Sequence, residues 1–474
     1  MMKPLALCTL SAFLLQAAPV RAAEQCVTLG DSLTFAYEAE FCFDVLGYGD
    51  GFDPDEVRNW IEILNDQSYR NESFDQGSRK NLVAFLFFRL FFRSEYNWAL
   101  PGLKIEQLRA FVTGEISIED LIAGDTLLAP LLTLSNFSAT RDFNINDLET
   151  QIETTAERLV FFIGGNDVRE VYGGIYNGGS AGSFVADFIN DAAEILDRVL
   201  VLNPNIQIVV VNVPHIGITP DVKNSWPTDP VKTERVTAVL RDLNQQLAGL
   251  ATARGLGYAD VFTPTLSLLG PALLCIHGIP FFNSGSTTGD LDFVWLNGEY
   301  SANFHPNTNA QTLIANEIID AFNTRYQTGI APLTATEILA DLHGKSAAEI
   351  DMPFATWMSN YGLTSLPASD DSDGDGIPAS VEFATGLNPT LRDSRKISSA
   401  WIDNGGTPAL DLSYPIRLPV SSRYSLTPAY SADLTTPFAP FTVLPTTGAD
   451  GLAHAVLPLS GGKGFMRLES TVGP

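Results

Sequence analysis

Short, wholly apolar runs alternate along this chain with longer segments of helical periodicity. The first run, 26–29, is closed by Gly30, and 158–164 (RLVFFIG), 206–213 (IQIVVVNV) and 257–262 (GYADVF) follow it. Runs without polar alternation fit strands covered on both faces. Between them, 183–202 and 232–254 carry helical spacing; in the second, Val236, Val239, Leu240, Leu243, Leu247 and Leu250 recur three and four apart. That spacing belongs to a helix burying one side. Strand, helix, strand, helix predicts a doubly wound parallel α/β sheet. The segment 80–93 (KNLVAFLFFRLFFR) is apolar nearly all round and predicts a buried helix, or one that lines an acyl pocket or touches lipid. It is too short to span a bilayer.

Beyond about Tyr326 the pattern changes. A surface helix is expected over 335–348 and a shorter one over 353–361, ended by Gly362. Short alternating stretches rich in Pro, Thr and Ser, such as 409–414 (ALDLSY), then predict a small antiparallel β-domain. The expected division is 1–22, a leader; 23–330, the α/β domain; 331–396, a helical linker with an acidic loop; and 397–474, the β-domain.

Charge narrows the partners. Of 474 residues 55 are acidic and 28 basic, a net charge of −27, which argues against a broad basic surface for nucleic acid or anionic lipid. Lys3, the apolar run 4–18 and the small residues of Val20-Arg21-Ala22 read as an export signal cleaved before Ala23, too short for a transmembrane helix. A secreted or periplasmic protein is expected. Loss of the leader removes Cys8 and leaves Cys26, Cys42 and Cys275, of which two can pair in an oxidising compartment. The pattern does not choose the pair, and with no CxxC a zinc or redox role has no support.

Four clusters carry candidate chemistry. Gly30-Asp31-Ser32-Leu33 follows a strand and precedes a helical pattern over 34–43, so Ser32 sits at a tight turn near backbone N–H groups suited to an oxyanion. Gly164-Gly165-Asn166-Asp167 follows another strand; an Asn amide there donates to an oxyanion or caps the next helix. Asn97-Trp98-Ala99-Leu100-Pro101-Gly102 brings a further backbone N–H at Gly102, or simply a turn. His305-Pro306-Asn307 precedes a helical run over 310–322.

Together and in this order, the four clusters resemble the SGNH/GDSL hydrolases, a family of lipases and esterases, over about 24–328. Val213-Pro214-His215-Ile216-Gly217-Ile218-Thr219-Pro220 is similar to a strand-end segment of the secreted lipase-like branch. The resemblance implies a flavodoxin-like three-layer α/β/α fold. It makes Ser32 the nucleophile, His305 the general base, and Ser32, Gly102 and Asn166 the oxyanion donors. The family's pattern has an Asp three residues before the His; here that position is Ala302. Glu299 or Asp292 from the preceding loop, Asn303 or Ser301, or a backbone carbonyl is left to orient the imidazole. The expected activity is hydrolysis of carboxylic esters, acyl lipids first, through an acyl-enzyme and without a catalytic cofactor. Carbohydrate O-acyl esters are the alternative substrate, and a catalytically weak binding or surface-attachment protein the alternative class.

The acidic run Asp371-Ser372-Asp373-Gly374-Asp375-Gly376-Ile377 places acids at positions 1, 3 and 5 of a twelve-residue loop, with Gly376 at 6 and Glu382 at 12. That is EF-hand spacing, with Asp371, Asp373, Asp375, the Ile377 carbonyl and Glu382 as Ca²⁺ ligands. Pro378 lacks the N–H that paired EF-hands use between loops, so a lone structural site is expected. The segment through Gly386-Leu387-Asn388-Pro389 resembles Asp-rich calcium loops akin to thrombospondin type 3 repeats, which precede C-terminal β-domains in secreted bacterial proteins; a solvated acidic linker is the alternative, and surface attachment through the β-domain is a role the pattern leaves open.

Overall fold

A computed structural model of the chain describes residues 23–39, 52–53, 56–84, 88–117, 120–121, 144–298, 301–393, 396–417, 422–433, 435–441, 445–448, 450–459 and 464–473, with backbone alone at 81–84 and 88–92. The first strand, β1 (Cys26–Gly30), is buried along its whole length. A hairpin follows, β2 (Arg79–Ala84) and β3 (Phe88–Ser94), antiparallel from Arg79↔Ser94 to Ala84↔Phe88 with a register shift between Lys80 and Asn81. The helix expected over 80–93 is therefore replaced by two strands. A wholly apolar run does not distinguish the two, and its aromatic residues suit a pleated surface.

Next come β4 (Arg158–Phe162), β5 (Gln207–Val211) and β6 (Gly257–Ala259), and the parallel sheet has the order β1-β4-β5-β6. Successive side chains leave a strand on opposite faces, and here both faces are covered. Val27, Leu29, Leu159, Phe161, Ile208 and Val210 pack with helices Ile145–Thr154, Phe184–Leu202 and Pro230–Arg254. Cys26, Val160, Phe162, Val209 and Val211 pack on the other side with helices Trp60–Asn65 and Thr308–Tyr326. This is a three-layer α/β/α domain, and it explains why these strands read as continuous apolar runs. Three further strands, β7 (Leu274–Ile276), β8 (Ile279–Ser286) and β9 (Phe293–Leu296), form a separate small sheet.

The single helix expected over 335–348 is broken. A π-helical turn covers Thr336–Leu342, Gly344 turns at φ 62°, and a short helix Ala347–Ile350 restarts with a Ser346–Glu349 capping box. Helix Phe354–Asn360 carries Trp357, fully buried against Phe354, Tyr361 and Phe383. The C-terminal part holds two antiparallel sheets. One is built from β10 (Ser398–Asn404), β11 (Thr407–Tyr414), β14 (Thr446–Thr447) and β15 (Ala453–Pro458). The other comprises β12 (Tyr424–Ser431), β13 (Ala439–Pro440) and β16 (Phe465–Val472). Leu412, Tyr414, Ala453 and Ala455 from the first pack with Leu426, Met466 and Leu468 from the second.

Cys26 and Cys275 are both buried free thiols, and burial pushes each up to about 12. A disulfide between these two is not formed; Cys42 lies outside the described residues. Among those residues no helix is long and apolar enough to cross a membrane.

Candidate active site

The nucleophile block begins where β1 ends. A Cβ at Gly30 would lie 2.5 Å from the carbonyl oxygen of Phe162, so only glycine lets β1 leave the sheet so close to β4. The N–H groups of Thr34 and Phe35 then donate to the Asp31 carbonyl at 3.0 Å each, forming one turn, and a 3₁₀ turn Tyr37–Ala39 follows. The α-helix expected to start at Thr34 is not formed over the described residues 34–39. Leu33 N–H donates to Asp31 Oδ1 at 3.0 Å, which spends that amide within the turn. Ser32 is buried to 5% exposure.

Asp31 reaches the Asn166 block by contact: a Cβ at Gly165 would lie 3.6 Å from its Oδ2. Burial pushes its carboxyl up to about 6, against the opposing amides of Leu33, Gly164 and Gly165. Gly164 caps the helix Gly165–Tyr176 at φ 128°, where a Cβ would lie 2.7 Å from Val213 Cγ2. Asn166 and Asp167 thus fall in the first turn of that helix rather than capping it. Asn166, half-buried, donates from Nδ2 to the Leu103 carbonyl at 3.2 Å. The Asp167 carboxylate accepts the Ile105 N–H at 3.1 Å. Burial, and then the nearby Asp31 charge, push Asp167 up to about 7.

The Gly102 block is stitched to the same place. Trp98 N–H donates to the Thr28 carbonyl at 2.9 Å, and Leu100 N–H to the Gly30 carbonyl at 3.2 Å. The Asn97 amide accepts from Thr28 Oγ1 at 3.1 Å and donates to the Thr34 carbonyl at 2.9 Å. Gly102 itself is exposed and left-handed at φ 73°.

His305 lies in a loop that runs back beside β9, joined to it by an isolated bridge between Trp295 and Pro306, with Leu296 N–H donating to the His305 carbonyl at 3.0 Å and Asn307 N–H to the Val294 carbonyl at 2.7 Å. The carbonyl of Ser301 stands 3.2 Å from His305 Nδ1. A carbonyl only accepts, so Nδ1 carries the hydrogen and Nε2 is the basic nitrogen. Of the groups left to orient the imidazole, the Ser301 backbone carbonyl lies at Nδ1. Asp292 is committed to an ion pair with Lys345. Asn303 Oδ1 is buried without a donor, and Glu299 is outside the described residues. Ala302 and Asn303 reach this arrangement through left-handed backbone, φ 46° and 58°. The imidazole meets Tyr37 and Phe304 edge to face at 6.4 and 5.9 Å. Tyr37 OH donates to the Pro306 carbonyl at 2.9 Å, joining the serine turn to the histidine loop across 269 positions of chain. Arg169, on the Asn166 helix, stacks over Phe304 at 4.8 Å and pairs with Asp221 at 2.8 Å.

The Ser32, Gly102, Asn166 and His305 blocks thus gather at the carboxyl ends of β1 and β4, where open α/β sheets place their ligands. Asp31, Asn97 and Asp167 stood inside the recognised blocks but had no assigned role. Nothing local signalled Tyr37, because its partners are remote in sequence. Elsewhere, ligand oxygens of Asp371, Asp373 and Asp375 lie within 4.8 Å of one another, a donor set suited to a hard cation. Glu382 is 1% exposed, and burial, reinforced by the charges of Asp373, Asp393, Asp375 and Asp371, pushes it up to about 9.

No family model matches the chain, and no curated protein matches it. Among solved structures, an extracellular lipase from Streptomyces rimosus is similar at TM-score 0.32 and 16% identity, over 63% of this chain and 100% of that one. A carbohydrate esterase family 3 protein from Talaromyces cellulolyticus is similar at TM-score 0.30 and 14% identity, over 64% and 99%.

Proposed function

We propose that the protein is an exported serine ester hydrolase of the SGNH/GDSL kind, acting on esters of apolar acyl groups. The observation that carries this reading is the gathering of four separated blocks around Ser32, with His305 held as the Nδ1–H tautomer. Ser32 Oγ attacks the ester carbonyl carbon while its proton passes to His305 Nε2. The carbonyl oxygen becomes an oxyanion that receives the N–H groups of Ser32 and Gly102 and the Asn166 amide. Collapse breaks the ester C–O bond, and the alcohol leaves with the proton from His305. Water, deprotonated by the same nitrogen, then releases the acid and Ser32. The Ser301 carbonyl fixes tautomer and ring orientation, two tasks of a triad carboxylate, but brings no full charge to the imidazolium. Turnover below that of a carboxylate-assisted site is expected.

A cavity of about 110 Å³ favours an apolar acyl group over a carbohydrate one. Leu33, next to Ser32, and Phe304 and Pro306, on either side of His305, help to line it, with Ile216, Leu268 and Ile314 beyond. His215, Thr219, Thr265 and Glu317 also line it, but the walls are mainly apolar, whereas a sugar calls for many convergent polar groups. Phe87 lies outside the described residues, and of Phe91 only the backbone is described; no described residue of the Phe-rich run lines this cavity, which supports an acyl group independently of that run.

A fluorophosphonate probe is expected to label the wild type and not Ser32→Ala, and p-nitrophenyl esters to be hydrolysed by the wild type alone. Wild-type turnover equal to that of Ser32→Ala would leave a binding protein. Leu313→Trp, which narrows the same cavity, is expected to lower the octanoate-to-acetate ratio of kcat/KM; an unchanged ratio removes the cavity from acyl recognition.

A further inference from the structure

We propose that the acidic loop holds one Ca²⁺ with a carboxylate from outside the loop, Asp393, completing a coordination shell with Asp371, Asp373, Asp375, the Ile377 carbonyl and Glu382. The loop spacing alone ends at Glu382. The tertiary structure adds a third segment.

Three carboxylate oxygens from three segments carry the argument. Asp373 Oδ2, Glu382 Oε1 and Asp393 Oδ1 are each buried with no hydrogen-bond donor. Buried acceptors are normally satisfied, and buried carboxylates cost several kcal/mol unless a cation or donors compensate them. The loop's own amides are already used: Gly374 N–H donates to Asp371 Oδ1 at 2.9 Å, Gly376 N–H to Asp371 Oδ2 at 3.0 Å, and Ile377 N–H to Asp375 Oδ1 at 2.9 Å. Asp393 is drawn in by its own N–H, which donates to Asp375 Oδ2 at 3.1 Å. Its Oδ2 accepts the Asn388 N–H at 3.3 Å, which leaves Oδ1 as the oxygen without a donor. The neighbouring cations lie beside the site, and the Lys396 charge opposes the rise that burial gives Asp393, but neither donates to these three oxygens. Arg392 donates to the Asp373 backbone carbonyl at 2.7 Å, and Lys396 pairs with Glu317 at 3.5 Å.

The proposed donor set is all oxygen, with no imidazole or thiolate, which points to a hard cation. Five carboxylates and a carbonyl exceed what Mg²⁺ accepts from protein in its rigid octahedron, whereas Ca²⁺ takes six to eight oxygens flexibly. The ion would tie the loop, the helix Ala379–Thr385 and the turn at 388–393 together. That turn lines a groove with Leu274 and Leu313 of the hydrolase domain, so the ion would fix the C-terminal segment against it.

The test is calorimetric titration of CaCl₂ into the full chain after EDTA treatment, with melting curves in EDTA and in excess Ca²⁺. One site per chain and a higher melting temperature in Ca²⁺ are expected for the wild type. Asp393→Asn is expected to weaken binding at least tenfold. The same variant in EDTA should melt no lower than the wild type, because it removes one of several repelling charges. Asp393→Asn binding like the wild type would take Asp393 out of the shell. Equal destabilisation of that variant in both conditions would make Asp393 a structural hydrogen-bonding residue only. No heat and no melting shift for the wild type would end the proposal. None of these readouts depends on ester hydrolysis.

Discussion

Replacing Asn166 by Ala separates a catalytic role from a packing role at one side chain. The Asn166 amide carries two N–H donors, and the Leu103 carbonyl takes one at 3.2 Å. The second is the one assigned to the oxyanion. Loss of the Leu103 bond alone costs about 0.5–1.5 kcal/mol of stability. Loss of an oxyanion donor costs about 2.7–4 kcal/mol of transition-state stabilisation. At about 1.36 kcal/mol per tenfold, that lowers kcat about 10²- to 10³-fold. KM should move little, because the oxyanion does not exist in the ground state. The assay is a full kcat and KM determination on p-nitrophenyl butyrate, with a melting curve to register the lost Leu103 bond. Asn166→Asp should lower kcat at least as far, since a carboxylate there repels the developing charge. A change confined to KM, or a kcat loss below tenfold with a clear drop in melting temperature, would refute the oxyanion role and leave a structural latch.

Two further outcomes follow from the packing and the buried acids. Trp357→Ala removes a fully buried ring that stacks on Phe354 at 5.8 Å and closes over Gly278, where a Cβ would lie 2.1 Å from it. A loss of about 3–5 kcal/mol in urea unfolding is expected, and a loss under 1 kcal/mol would show that the ring does not hold this junction. Asp31 and Asp167 are pushed up to about 6 and about 7 by burial, so the folded state binds their protons more tightly than the unfolded chain does. Their stabilising contribution is full below about pH 3.8 and is lost as pH rises through about 6 to 7. Asp167→Asn should therefore flatten the fall in melting temperature between pH 5 and 8, and a slope equal to the wild type's would contradict the buried-acid assignment.

What the amino-acid sequence determined by itself is local burial and local turn chemistry. β1, β4, β5 and β6 were legible because helices cover both sheet faces, so nearly every position in them had to be apolar. Gly30 and Gly164 were legible as tight points next to strands, and Asp371, Asp373 and Asp375 as a cluster, because loop spacing alone brings their oxygens together. The antiparallel C-terminal strands announced themselves through short alternating stretches, half covered and half open.

Tertiary structure decided what depends on partners far away in the chain or on backbone geometry. The run 80–93 became two paired strands because a pattern apolar nearly all round has no period to separate helix from strand, and antiparallel pairing of Arg79–Ala84 with Phe88–Ser94 settled it. Ala302 announced a missing carboxylate but not its replacement. The Ser301 carbonyl reaches His305 where Ala302 and Asn303 turn through left-handed backbone, a conformation that Asn favours but Ala does not signal. Tyr37 and Asp393 were silent for the same physical reason: a side chain's role is set by the atoms that folding brings to it, and those atoms belong to other segments.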